Sequence, residues 1–148
     1  MPDIDLTQIE ADALIQMDKH RVGNTAWTFP SNGERLEIPL ISANKRENFI
    51  LDIRRARIDL SKITFQNRSR QIVRLLRLDL GGPPHRNPDG EEMPCPHLHI
   101  YREGFHDKWA FPIDTKIFSN ISDRDRALDD FMRYCNITMR PTINRNLF

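Results

Sequence analysis

The chain has 148 residues, 39% hydrophobic and 29% charged, with a net charge of +1. That length suits a single domain, expected to run over 1–148, and the composition excludes a disordered chain. No apolar run is long enough to span a bilayer, and the acidic start MPDIDLTQIEAD lacks the basic and apolar regions of a secretory signal, so a soluble cytoplasmic protein is expected.

In chain order, LTQIEADALIQMDKH reads as a first helix. Thr7 and Glu10 have capping-box spacing, and Ile9, Ala13, Leu14 and Met17 form an apolar stripe. Six segments with period-two alternation follow: RLEIPLIS, NFILDIRRARIDL, KITFQNRSR, QIVRLLRLDL, PHLHIYRE and KWAFPI. Apart from Gly81 to Pro94, the connections between them are short, which favours antiparallel neighbours. A second helix is predicted over about Asp123 to Cys135 with Ser122 as its N-cap. Leu128, Phe131, Met132 and Cys135 share its apolar face, which makes Cys135 a core residue. Residues 1–5 and 138–148 carry no periodicity and read as tails, docked or mobile. The fold class expected is α+β: a curved antiparallel meander of about five to six strands with an N-terminal and a C-terminal helix packed on it.

Charge is unevenly distributed. Residues 48–86 hold nine basic side chains against three acidic ones, a local +6 against −5 for the rest, and eight of the nine are arginine. Arginine grips phosphate and carboxylate bidentately, so an anionic partner is expected; pairing with carboxylates of the acidic remainder is the competing reading. Strand alternation sorts these side chains onto one face. Ile63 and Phe65, then Leu76, Leu78 and Leu80, then Leu98 and Ile100 point to the core. Lys62, Arg68 and Arg70, then Arg77 and Asp79, then Cys95, His97, His99 and Tyr101 point to the other side, forming an open basic concavity lined by histidine. The loop before the last histidines contains Asn87-Pro88-Asp89-Gly90, a type I turn signal, which can hold His85 over that face.

Three chemistries fit His85, His97 and His99. Zinc chelation by two imidazoles two apart on a strand, completed by Cys95, His85 or Glu103, is one. Structural histidines bonded to Asp79 and Glu103 are another. The third, favoured by the basic face, is acid/base cleavage of RNA without metal or other cofactor. In it His97 or His99 is the general base, His85 the general acid, Arg77 the stabiliser of developing charge, and Asp79 or Glu103 the orienter of an imidazole. Lys62, Arg68, Arg70, Arg74, Arg86 and Tyr101 form the expected nucleic-acid surface. Cys95 and Cys135 lack CxxC spacing and read as reduced thiols. P-loop, nucleophile-elbow, zincin and dinucleotide motifs do not occur.

RENFILDIRR, PHRNPDG, PHLHIYREG, DKWA and DFMRYCNI together make Leu6 to Asn136 resemble an uncharacterised family of small bacterial proteins. More distantly, Arg77-Leu78-Asp79, Pro84-His85 and Pro96-His97-Leu98-His99 are similar to the Arg-Trp-Asp, Pro-His-His and Pro-His-His-x-His segments of small toxins from bacterial toxin–antitoxin pairs. Here Leu78 replaces tryptophan and each histidine pair lacks a member. That resemblance implies an endoribonuclease acting on RNA, with an antitoxin or target complex as protein partner and no membrane association. A non-catalytic inhibitor from a mobile element or defence island, using the arginine face alone, is the alternative.

Overall fold

The computed structural model describes residues 5–59 and 61–145. Thr7 opens α1 (Gln8–Gln16) through the expected capping box: its hydroxyl accepts the Glu10 N–H, and the Glu10 carboxylate accepts the Thr7 N–H. The helix is shorter than expected. Ala11, Leu14 and Ile15 are buried, while Ile9 and Ala13 face solvent, so the apolar stripe is rotated from the one read in the sequence.

Among the described residues twelve short strands and one further helix follow: β1 (Lys19–Arg21), β2 (Ala26–Thr28), β3 (Arg35–Ser42), β4 (Asn48–Arg55), β5 (Ile63–Ser69), β6 (Val73–Asp79), β7 (His85–Arg86), β8 (Glu92–Met93), β9 (His97–Ile100), β10 (Ala110–Pro112), α2 (Arg124–Tyr134), β11 (Ile137–Met139) and β12 (Thr142–Asn144). Eight of them form one curled sheet, a half-barrel in the order β10-β9-β6-β5-β4-β3-β1-β11. The class is α+β, but the sheet is larger than the expected five to six strands and is mixed. β1 and β11 extend it beyond β3, and these two pair in parallel. Both are three residues long, too short for alternation to reveal them, and Lys19–Arg21 falls where the first helix was expected to continue.

The C-terminal segment docks as far as it is described: β12 pairs with β2, and the Arg145 guanidinium reaches Asp129 at 2.7 Å. Residues 1–4 and 146–148 of the expected tails lie outside the described residues. α2 is capped by Asp123, whose carboxylate accepts the N–H groups of Asp125 and Arg126, in place of the expected Ser122. Its apolar face meets the sheet as expected, with Leu128, Phe131, Met132 and Cys135 buried and the Phe131 ring 6.0 Å from Phe65. A single apolar cluster runs from Leu6 to Ile137. No helix among the described residues is long and apolar enough to cross a membrane.

A buried ammonium ties the two helices to the sheet. Lys19 is fully buried, and its Nζ donates to the carbonyls of Ile15 and Met17 at the end of α1 and of Cys135 at the end of α2, at 2.7, 3.0 and 2.6 Å. Helix C-termini leave carbonyls unpaired and carry partial negative charge, so a cation there satisfies both needs. Burial lowers the Lys19 pKa to about 8, and it raises the Cys135 thiol to about 12. Lys19→Met leaves three carbonyls without a donor and is expected to cost roughly 3 kcal/mol or more in urea unfolding. The Cys135 thiol gives a signed pH effect: above pH 9 the unfolded chain loses a proton that the fold retains, so the fold's advantage falls. Wild-type stability relative to Cys135→Ala is therefore expected to be constant below pH 9 and to decline as the pH rises toward 12; denaturation at pH 7, 9 and 10.5 measures it.

Candidate functional site

The sheet register places the polar side chains in two cross-strand rows. Glu37, Asp52, Gln66, Arg77 and His99 stand opposite one another on β3, β4, β5, β6 and β9. The adjacent row is Arg35, Arg54, Thr64, Asp79 and His97. Directly opposed residues are close enough for their side chains to interact, so the sequence positions of β6 and β9 bring Asp79 to His97 and Arg77 to His99.

Asp79 is the centre of the cluster. Its Oδ2 lies 3.1 Å from His97 Nε2, 3.3 Å from His99 Nε2 and 3.4 Å from Arg77 Nε. Burial works to raise its pKa, but the hydrogen bond with His97, the adjoining His99 ring and the Arg77 charge outweigh burial and hold the carboxyl well below the ordinary range. His99 Nδ1 donates to the Asp107 carbonyl at 2.8 Å, which leaves Nε2 to accept from Arg77 Nη2 at 2.9 Å. Arg77 Nη1 donates to the Asp107 carboxylate at 3.2 Å. His97 Nδ1 lies 3.3 Å from the Pro94 carbonyl and 3.5 Å from Cys95 Sγ. Burial, ahead of the nearby Asp79 charge, raises the Cys95 thiol above its ordinary pKa.

The Gly81 to Pro94 loop closes over this cluster. It leaves β6 at Gly81, where a Cβ would come within 2.4 Å of the Ser61 carbonyl oxygen, so only glycine fits the approach. β7 and β8 pair as a small hairpin, and the expected turn is present, with Gly90 N–H donating to the Asn87 carbonyl. The buried Asn87 side chain then pins the hairpin to the edge strand β10: its Nδ2 donates to the Ala110 carbonyl at 2.9 Å and its Oδ1 accepts the Ala110 N–H at 2.8 Å. His85 is thereby carried over the sheet. Its Nε2 donates to the Lys108 carbonyl at 2.7 Å, and its ring centre is 4.6 Å from that of His99 and 6.1 Å from that of His97.

His97 and His99 share a face with Arg77, as alternation predicts, but they are not open to solvent: they are 2% and 0% exposed, and Leu98 on the opposite face is buried too. The expected open concavity is corrected to a covered one, because His85 of the loop, Arg77 and Asp107 all contact the His99 ring. What remains open is a cleft of about 400 Å³ beside them, with Arg54, Lys62, Arg74, Arg77, Asp79, His85, Cys95 and His97 in its wall. A second hollow shares Asp52, Arg54, Gln66 and Arg74 with it and extends the trough to Arg35 and Arg68.

The remaining expected residues divide. Arg68 binds Asp52 with two nitrogens at 2.7 and 2.8 Å, Arg70 reaches Glu47 from the β5–β6 turn, and Arg86 bonds Glu92 and the Gly90 carbonyl on the hairpin. Arg70 leaves the sheet face because it and Gln71 both adopt positive φ in that turn. Tyr101 is not on the polar surface: β9 ends at Ile100, and the Tyr101 hydroxyl accepts the Leu6 N–H at 2.7 Å and donates to the Leu6 carbonyl at 3.2 Å inside the core. Glu103 does not orient an imidazole; its carboxylate accepts the Gln8 N–H at 2.7 Å at the start of α1. Asp107, Asn87 and Arg54 are contributors that the sequence reading did not assign. Asp107 sits in the DKWA stretch, and that motif was its one visible signal.

A family model matches residues 6–137, and the chain belongs to that family, described as a family of unknown function (DUF6978). No curated protein and no solved structure matches the chain. The loop anchor is directly testable. Asn87→Ala strips two buried backbone groups of their partners and is expected to cost about 2–4 kcal/mol. Amide exchange should accelerate across 81–94 while the β3–β6 amides remain protected; unchanged loop exchange would show that Asn87 does not hold the hairpin.

Proposed function

We propose that the protein binds RNA in the basic cleft and cleaves it as a metal-independent endoribonuclease of the toxin type. The observation that supports this best is the pair of imidazoles His85 and His97, their ring centres 6.1 Å apart, in a cleft wall they share with Arg77. In such a reaction the 2′-hydroxyl of one nucleotide attacks the adjacent phosphorus, a base removes the hydroxyl proton, and an acid protonates the departing 5′-oxygen. His85 suits the base: with Nε2–H committed to the Lys108 carbonyl, the neutral ring has its lone pair on Nδ1. This reverses the role expected for it from sequence. His97 suits the acid, because Asp79 at its Nε2 stabilises the imidazolium. Arg77 serves the charge developing on the phosphoryl oxygens, and Arg54, Lys62 and Arg74 grip flanking phosphates.

His85→Ala and His97→Ala are each expected to lower cleavage of single-stranded RNA by about 10²–10⁴-fold. The products should carry 2′,3′-cyclic phosphate ends, and chelators should not reduce the rate. Reversing Lys62 and Arg74 to Glu should weaken binding and flatten its salt dependence, which runs at about −0.7 in log–log slope per neutralised phosphate of a single strand. Salt-sensitive RNA binding without cleavage, unchanged by the histidine variants, would replace this reading with the non-catalytic binding protein. Absence of RNA binding at low salt would refute both.

A further inference from the structure

We propose that Asp79, His97 and His99 also form a binding site for a divalent transition metal of the zinc type, and that occupation of this site silences the cleft. Ligand atoms, one each from Asp79, His97 and His99, lie within 4.8 Å of one another, with both histidines buried. Ligand atoms on a tetrahedral zinc, at bonds of about 2.0–2.1 Å, stand about 3.3 Å apart. The carboxylate oxygen already lies 3.1 and 3.3 Å from the two nitrogens. The outer ring nitrogens are turned to backbone carbonyls, His99 Nδ1 to Asp107 at 2.8 Å and His97 Nδ1 to Pro94 at 3.3 Å. That is the support that orients metal-binding imidazoles and leaves the inner nitrogens free to coordinate. Two imidazoles and one carboxylate leave a fourth position open, as in sites that retain a water.

Arg77 occupies the cation's place in the metal-free protein. Its Nη2 donates to His99 Nε2 and its Nε stands against Asp79 Oδ2. A metal need not strand it, because Asp107 already accepts from its Nη1 and can hold the displaced guanidinium. Metal and arginine therefore compete for the same lone pairs. Bound metal fixes His97 Nε2 and takes Asp79 from it, so His97 no longer carries a proton for catalysis. This silencing rests on the cleavage reading; metal binding itself does not.

The test uses full-length protein stripped of metal and titrated with ZnCl2 and CoCl2. Equilibrium dialysis with elemental analysis is expected to show one zinc per chain, and cobalt to develop the visible bands of a low-coordinate site. Asp79→Asn and His99→Asn should each weaken binding by more than about tenfold. Arg77→Gln keeps all three ligands and removes the competing charge, so it should tighten binding; this variant decides the matter if a ligand variant fails to fold. Zinc bound at less than one per chain, or bound equally by wild type and Asp79→Asn, overturns the site, as does weaker binding by Arg77→Gln. Stoichiometric zinc on a protein that cleaves no RNA when metal-free upholds the site and refutes the cleavage reading. Zinc that accelerates cleavage overturns the silencing.

Discussion

The pairing of β6 with β9 is the constraint on which the site depends. With Asp79 opposite His97 and Arg77 opposite His99, four polar side chains converge on one face while Leu76, Leu78, Leu98 and Ile100 are directed to the other. A slip by one residue would turn both histidines toward Phe65 and Phe131 and send leucines into the cleft. The apolar core therefore enforces the position of the polar cluster. The register belongs to two interior strands of an eight-stranded sheet, next to its β10 edge, and each of them is held on both sides.

Burial of the histidines follows from what covers them. A polar face of an antiparallel sheet is normally solvated, yet here a hairpin is laid across part of it and clamped through one asparagine amide to the edge strand. Covering the cluster shields the imidazoles from water and leaves Asp79 only partly exposed at the cleft wall, which lengthens the reach of the charges near them. The carboxylate remains ionised despite this because His97 bonds to it and the Arg77 guanidinium stands beside it. The uncovered part of the same face retains Arg54, Lys62 and Arg74, so a dry polar centre borders a wet basic trough.

Period-two alternation made the long strands legible, and with them the side of the sheet on which His97, His99, Arg77 and Asp79 lie. It could not show β1, β11 or β12, because three residues contain too little alternation to register and their pairing depends on where the helices end. The helix stripe was misjudged at Ile9 and Ala13 since α1 packs on β6 along a face set by that tertiary contact. Tyr101 followed the alternation of β9 on paper, but the strand stops one residue earlier and the tyrosine binds the Leu6 backbone instead. Nor does a charge count reveal pairing: Arg68 and Arg70 are committed to Asp52 and Glu47, partners that come from neighbouring strands and turns.

The cluster has more acceptors than protons in its neutral form, and this shapes its chemistry. Asp79 Oδ2 and His99 Nε2 are both acceptors when His99 keeps its proton on Nδ1, and they stand only 3.3 Å apart. Two lone pairs at that distance repel unless something positive lies between or beside them. A proton on His99, the Arg77 guanidinium, or a metal ion would each relieve the repulsion, and they exclude one another at the same nitrogen. In the protein as it stands Arg77 fills that role, at the cost of withdrawing part of its charge from the cleft. An anion entering the cleft would compete with His99 Nε2 for the Arg77 guanidinium, so one arginine is shared between the buried cluster and the open trough.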